Sequence, residues 1–302
     1  MGKLAPLFVI IAAALWGFDG IVLRPALYSL PVPLVVFIES TIVALLLSPI
    51  FIRQHSKIKT LSQKDWLAFL GVALFGGAIG TMAITKALFY VNFVNLSIVI
   101  LIQKLQPVFA LSLAGILLKE KLPRIFFFWA FLAVTGAYFM TFGFSLPNFL
   151  TGDKTLVAAG FSLIAAVSFS SSTVFSKRAL RDVGFEMGTY LRFLLSALIM
   201  IVITTLMGDI KTISSVSSYQ WMIFLIIAFT TGGAAIFLYY YGLKKITASV
   251  ATICELAFPL TAVVLEYFIH RNILNPVQWI GVAVLIFSIL KVSRINLNNV
   301  KS

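Results

Sequence analysis

The chain is short of charge. Asp, Glu, Lys and Arg make up 11% of its 302 residues, whereas about a quarter of an ordinary soluble domain is charged. So few ionised groups cannot clothe a water-facing surface, which excludes a soluble globular fold. Cysteine is nearly missing too: Cys254 stands alone, so no disulfide can form within the chain. The two histidines, His55 and His270, lie far apart, and no Cys/His cluster has metal-ligand spacing, so no metal site is expected. Acidic residues number 10 against 23 Lys and Arg, a formal charge of +13. The basic residues fall in short clusters between apolar runs rather than along one face, which argues against a nucleic-acid partner. No Walker-type glycine loop is present, so ATP is not expected as an energy source, nor is any other cofactor.

What is there is apolar sequence, 61% of the chain. Runs long enough to cross a ~30 Å hydrocarbon layer follow one another almost without pause. Their limits predict spans near 4 to 24, 33 to 52, 66 to 88, 94 to 118, 125 to 144, 156 to 176, 187 to 207, 219 to 242, 247 to 268 and 275 to 292. Helices satisfy their own backbone polar groups in lipid, so the expected fold is an all-α membrane protein of ten transmembrane helices, with lipid as its surroundings. The first run, with Ala12-Ala13-Ala14 resembling a cleavage site, is read as a retained helix rather than a leader, because it has a counterpart in the second half.

A cytoplasmic N-terminus places Arg53, Lys57, Lys59, Lys64, Lys119, Lys121, Arg124, Lys177, Arg178, Arg181, Lys244, Lys245, Lys291, Arg294 and Lys301 inside. Arg24, Lys86, Lys154, Lys211 and Arg271 remain outside. This positive-inside asymmetry predicts both termini in the cytoplasm.

The halves resemble each other. Ala26-Leu27 returns as Ala179-Leu180, Trp66 as Trp221, Gly76-Gly77 as Gly232-Gly233, Leu88 as Leu243 and Pro107 as Pro259, at separations of 152 to 156 residues. Two five-helix repeats, 1–150 and 151–302, are therefore expected. An odd number of spans per repeat threads the second in the opposite direction, an inverted repeat suited to alternating access.

Several residues carry a family likeness: Ala14-Leu15-Trp16-Gly17, Arg192-Phe193, Tyr241-Gly242-Leu243, Pro107 and Pro259, Leu117-Leu118-Lys119-Glu120-Lys121-Leu122, and Gln278-Trp279-Ile280-Gly281. In their joint order they resemble the EamA-type members of the drug/metabolite transporter superfamily, over nearly the whole chain. The resemblance implies a bacterial inner-membrane carrier or exporter of small polar metabolites, with amino acids and related compounds as common cargo. Three positions depart from the family pattern. Glu39 stands where a basic residue is usual, His270-Arg271-Asn272 replaces a Gly-Glu type turn, and Asp19 is unusual.

Ionisable groups within spans cost about 2.5 to 3.5 kcal/mol each on insertion scales, so they mark partners or function. Gln103, Lys104 and Glu255 fall at nearly equivalent places in spans four and nine, and with Trp16 they are candidates for the wall of a central substrate site. The other reading is an ion pair of Lys104 with Glu255 that locks the bundle. Asp19 is a candidate for proton coupling, or else a partner of Arg24. Glu39 and Arg192, 153 residues apart, look like gate partners, or Arg192 snorkels to lipid phosphate. Pro107 and Pro259 are candidate hinges, or static kinks. Gly76 and Gly80 read as packing contacts. Tyr239, Tyr240 and Tyr241 read as an interfacial aromatic belt, and the many phenylalanines as lipid-facing filler.

A secondary transporter of a small solute, monomeric or homodimeric, is the expected function. A channel would need a ring of like groups. A membrane enzyme would need a nucleophile with a base, and the sequence offers no such constellation.

Overall fold

The computed structural model describes residues 4–54, 56, 58, 61–90, 99, 102–103, 105–146, 154–270 and 274–295. Among them, nine helices are long and apolar enough to cross a membrane. In chain order, the first to third spans are Ala5–Leu27, Val32–Gln54 and Gln63–Ala87, and the fifth is Arg124–Phe142. The sixth to tenth are Leu156–Ala179, Phe185–Leu206, Ser218–Lys245, Ala248–Leu265 and Pro276–Ser293. Gln106–Leu117 is a shorter apolar helix, and it occupies the described part of the expected fourth span. The fold is all-helical with two repeats, as the apolar runs require.

The helices start where the sequence offers a cap. Ser62 accepts from the Asp65 N–H while the Asp65 carboxylate accepts from the Ser62 N–H, a capping box that opens the third span. Ser217 and Gln220 do the same for the eighth span, its counterpart in the second half. Asn275 and Gln278 open the tenth, with Pro276 in its first turn.

The Gly-Gly pairs of the third and eighth spans share a further feature, a turn wider than an α-helix. Val72–Ile79 is a π-helix, and in the eighth span Gly232 donates to the Ile227 carbonyl at 2.7 Å and Ala235 to that of Thr230 at 3.0 Å, both five residues back. A Cβ at Gly76 would stand 2.3 Å from the Ser172 hydroxyl oxygen, so only glycine lets the third span lie this close to the sixth.

Packing repeats the symmetry. The second span lies along the seventh and the fifth along the tenth. The third lies along the sixth as the first lies along the eighth, and helix Gln106–Leu117, whose first turn holds Pro107, meets Ala248–Cys254, before Pro259. The helix relations of spans two with seven, five with ten, and three with six against one with eight survive exchange of the two halves. On the fifth span Phe126, Ala130, Ala133 and Ala137 are buried at helical spacing, while Phe127, Phe128 and Phe131 face outward.

The halves are also clasped through Glu120. Helix Gln106–Leu117 ends on Lys119, which takes a left-handed conformation (φ 55°) and lets the Glu120 N–H return to the Ala114 carbonyl at 3.3 Å. The Glu120 carboxylate then accepts from the backbone N–H groups of Ala248 (2.7 Å) and Ser249 (3.1 Å) and from the Ser249 hydroxyl, at the start of the ninth span.

Candidate functional site

The ninth span is interrupted. Ala248–Cys254 gives way at Glu255 and Leu256 to Ala257–His270. Pro259 has no N–H for the Glu255 carbonyl, which is met instead by the Phe258 N–H, three residues on, at 2.9 Å. The fourth span shows the same tightening beside Pro107: Leu105 donates to the Ile102 carbonyl at 3.0 Å and Val108 to that of Leu105 at 2.9 Å. Interrupted helices at corresponding places in two inverted halves are where carriers build their solute sites.

Glu255 sits at the second of these breaks with its carboxylate turned inward. The Tyr239 hydroxyl donates to its Oε1 at 2.6 Å and the Thr173 hydroxyl to the same oxygen at 3.3 Å, while Gln106 Nε2 reaches Oε2 at 3.5 Å. The Tyr239 ring is tilted against Trp16, centroids 5.2 Å apart. The fourth, sixth and eighth spans thus each place a side chain on one carboxylate of the ninth, and the first backs Tyr239 with Trp16. One turn along the sixth span from Thr173, the Ser176 hydroxyl lies 2.9 Å from that of Tyr240. Arg192 Nη1 donates to the Tyr240 hydroxyl at 3.5 Å, and its guanidinium is 5.7 Å from that ring. Glu255 lies within Coulombic reach of Arg192.

A second polar cluster lies apart, in the first half. Arg24 Nε is 2.6 Å from Asp19 Oδ2 and Nη2 is 3.2 Å from Glu39 Oε1. The Thr231 hydroxyl donates to Asp19 Oδ1 at 3.1 Å. Asp19 opens a π-helical turn, Asp19–Leu23, that brings its carboxylate and Arg24 together.

Several expectations change on this geometry. Glu39 pairs with Arg24, not Arg192; equivalence under the repeat relates the two positions without bringing them into contact. Arg192 turns to Tyr240 rather than to an interface. Tyr239 and Tyr240 are buried, not part of a belt, because the eighth span continues to Lys245 and carries both rings inward against the sixth and ninth spans. Tyr241 alone keeps to the helix end, with Lys245 Nζ 3.4 Å above its ring. Gln103 is held by the sixth span, donating to the Ser162 carbonyl at 2.9 Å, and Gln106 is the glutamine that reaches Glu255. Lys104 lies outside the described residues, as do His55, Lys57, Lys59 and Arg271. Gln106, Thr173 and Tyr239 are the site residues that sequence reasoning missed. The position of Gln106 beside Pro107 was the one available signal for them.

The model of the EamA-like transporter family matches residues 3–142 and again 156–294. The chain belongs to the EamA-like transporter family. Named transporters resemble it along much of its length. The Riboflavin transporter ImpX of Fusobacterium nucleatum is 50% identical over 291 residues, covering 96% of this chain and 97% of that protein. A protein of Synechocystis, named Uncharacterized transporter sll1164, is 27% identical over 235 residues, 76% of this chain and 65% of its own. A solved crystal structure at 17% identity superposes with a TM-score of 0.75 over 99% of both chains, a likeness of fold. The chain is therefore a multi-pass membrane transporter of a small metabolite and not an enzyme.

Proposed function

We propose that the chain carries riboflavin, or a closely similar flavin, across a bacterial inner membrane by alternating access, with both termini in the cytoplasm. The observation that carries the reading is the carboxylate of Glu255 held by Tyr239, Thr173 and Gln106 beside the Trp16 ring. A flavin offers a flat heteroaromatic ring to stack on such a wall, ring N–H and carbonyl groups for the polar side chains, and a hydroxylated tail. The 50% identity to a protein named as a riboflavin transporter supports the same cargo. An ordinary amino acid would give its ammonium to Glu255 and leave the aromatic wall without a partner.

In this reading Trp16, Gln106, Tyr239 and Glu255 contact the solute, and Gln103 flanks it on the fourth span. Pro107 and Pro259 bend where the two halves rock. Asp19, Arg24 and Glu39 form a gate in the first half. The repeats 1–150 and 151–302 move as two bodies of opposite threading.

Counterflow in liposomes tests this. Vesicles loaded with unlabelled riboflavin should accumulate labelled riboflavin faster than empty ones, without ATP, while vesicles loaded with amino acids should not. Equal stimulation by amino acids, or none by riboflavin, overturns the cargo. Labelling of a tag at each end from one side of the membrane tests orientation, and ends on opposite sides would remove the inverted two-body scheme.

A further inference from the structure

Arg192 is a cation within a membrane-spanning helix, and among the described residues no carboxylate lies within ion-pair distance of it. Its one described hydrogen bond is the long contact from Nη1 to the Tyr240 hydroxyl at 3.5 Å, although a guanidinium offers five N–H donors. The third span passes close beside it, since Nη2 stands 3.8 Å from where a Cβ on Gly76 would be. The Tyr240 ring beneath it is steadied by Ser176 at 2.9 Å.

Glu255 is used just as unevenly. Its Oε1 takes the bonds from Tyr239 and Thr173, whereas Oε2 has only Gln106 at 3.5 Å. The two charged groups are presented in parallel. Thr173 and Tyr239 hold Glu255, and, one turn and one residue further along the same two helices, Ser176 bonds Tyr240, whose hydroxyl accepts from Arg192. Among the described residues no ion pair joins them, so an acceptor and a donor are held on neighbouring residues of the same two helices with hydrogen-bonding capacity to spare.

We propose that Arg192 is a specificity-determining residue that works with Glu255 to read an imide edge of the solute. Glu255 Oε2 accepts the imide N–H, and the Arg192 guanidinium donates to the carbonyl oxygen next to it. The inference rests on the flavin reading, because the pyrimidinedione edge of a flavin carries this N–H between two carbonyls. It assigns that edge, rather than the hydroxylated tail, to the charged side of the site. A donor next to an acceptor on the solute also excludes ring systems that present only carbonyls or only N–H groups there, since one buried charge would be left unpaired.

The test uses the full chain in liposomes, with riboflavin counterflow competed by N3-methylriboflavin, which keeps the ring, both carbonyls and the tail but lacks the imide N–H. The wild type should bind the methylated compound at least about tenfold more weakly than riboflavin, the loss expected for a hydrogen bond to a charged group. Glu255→Ala should lower affinity for riboflavin and close the gap between the two compounds. Arg192→Met should raise KM for both by a similar factor, about tenfold, and Arg192→Lys should recover part of it. Variants are compared after their thermal unfolding has been matched to the wild type. A structural Arg192 would instead lower the number of active carriers and leave KM alone. An unchanged KM in Arg192→Met, or equal competition by both compounds in the wild type, overturns the assignment. Failure of the wild type to move riboflavin at all overturns the cargo reading, and it is recognised before any variant is made.

Discussion

The Tyr239 hydroxyl donates to Glu255 Oε1 at 2.6 Å, and this bond joins the eighth span to the interruption of the ninth. A neutral donor on a buried carboxylate contributes about 1.5 to 3 kcal/mol. Tyr239→Phe keeps the ring against Trp16 and removes that donor alone. Thermal unfolding in detergent should fall by the equivalent of about 1 to 3 kcal/mol, and solute affinity should change more than the maximal rate. Unaltered unfolding and affinity would show that the hydroxyl does not support the carboxylate.

Arg24 is shared between Asp19 and Glu39, so its removal leaves two carboxylates without a counter-ion. Loss of one partner of a fully buried pair costs about 3 to 5 kcal/mol. The Arg24 side chain is 32% exposed, which reduces the expectation for Arg24→Gln to roughly 1 to 3 kcal/mol after screening. The double variant Arg24→Gln with Asp19→Asn should regain part of it. A double variant no more stable than the single one would remove the ion pair as the cause.

Gly76→Ala places a methyl 2.3 Å from the Ser172 hydroxyl oxygen and 3.0 Å from its Cβ. Overpacking of this kind costs about 1 to 3 kcal/mol. Adding Ser172→Ala should relieve the hydroxyl clash and leave the milder Cβ contact, so stability should return in part. Expression and unfolding of the two variants side by side provide the check.

Lys119 pays a conformational penalty as a non-glycine residue at φ 55°. Lys119→Gly should raise stability by about 0.5 to 1 kcal/mol, because the left-handed cap suits glycine. A decrease would mean that the lysine side chain contributes more than its backbone costs.

The spans and the repeat were legible because both depend on the length and order of apolar runs, which a bilayer imposes on any chain that crosses it. The structure displaces the second span by only a residue or two from its expected limits, to Val32–Gln54. Glu255 and Trp16 could be singled out as candidates for a related reason: a carboxylate or an indole stands out within an aliphatic helix. Thr173 and Gln106 were not, since a threonine or a glutamine in a span is ordinary until its neighbour from another helix is known. Tyr239 was misread because distance from a helix end was used where the direction of the ring decides. The pairing of Glu39 followed from the turn Asp19–Leu23, whose widened geometry delivers Arg24 to it and which nothing in the local composition announces.

Glu120 belongs to one repeat and grips the first turn of a helix in the other. If the repeats part on that side, as the proposed alternating access requires, water takes up each donor the carboxylate gives up, so each bond costs only its net value of about 1.5 to 3 kcal/mol. Under that proposal the clasp is a fastener of modest strength that can be undone and remade on each cycle, holding the bonded form in register.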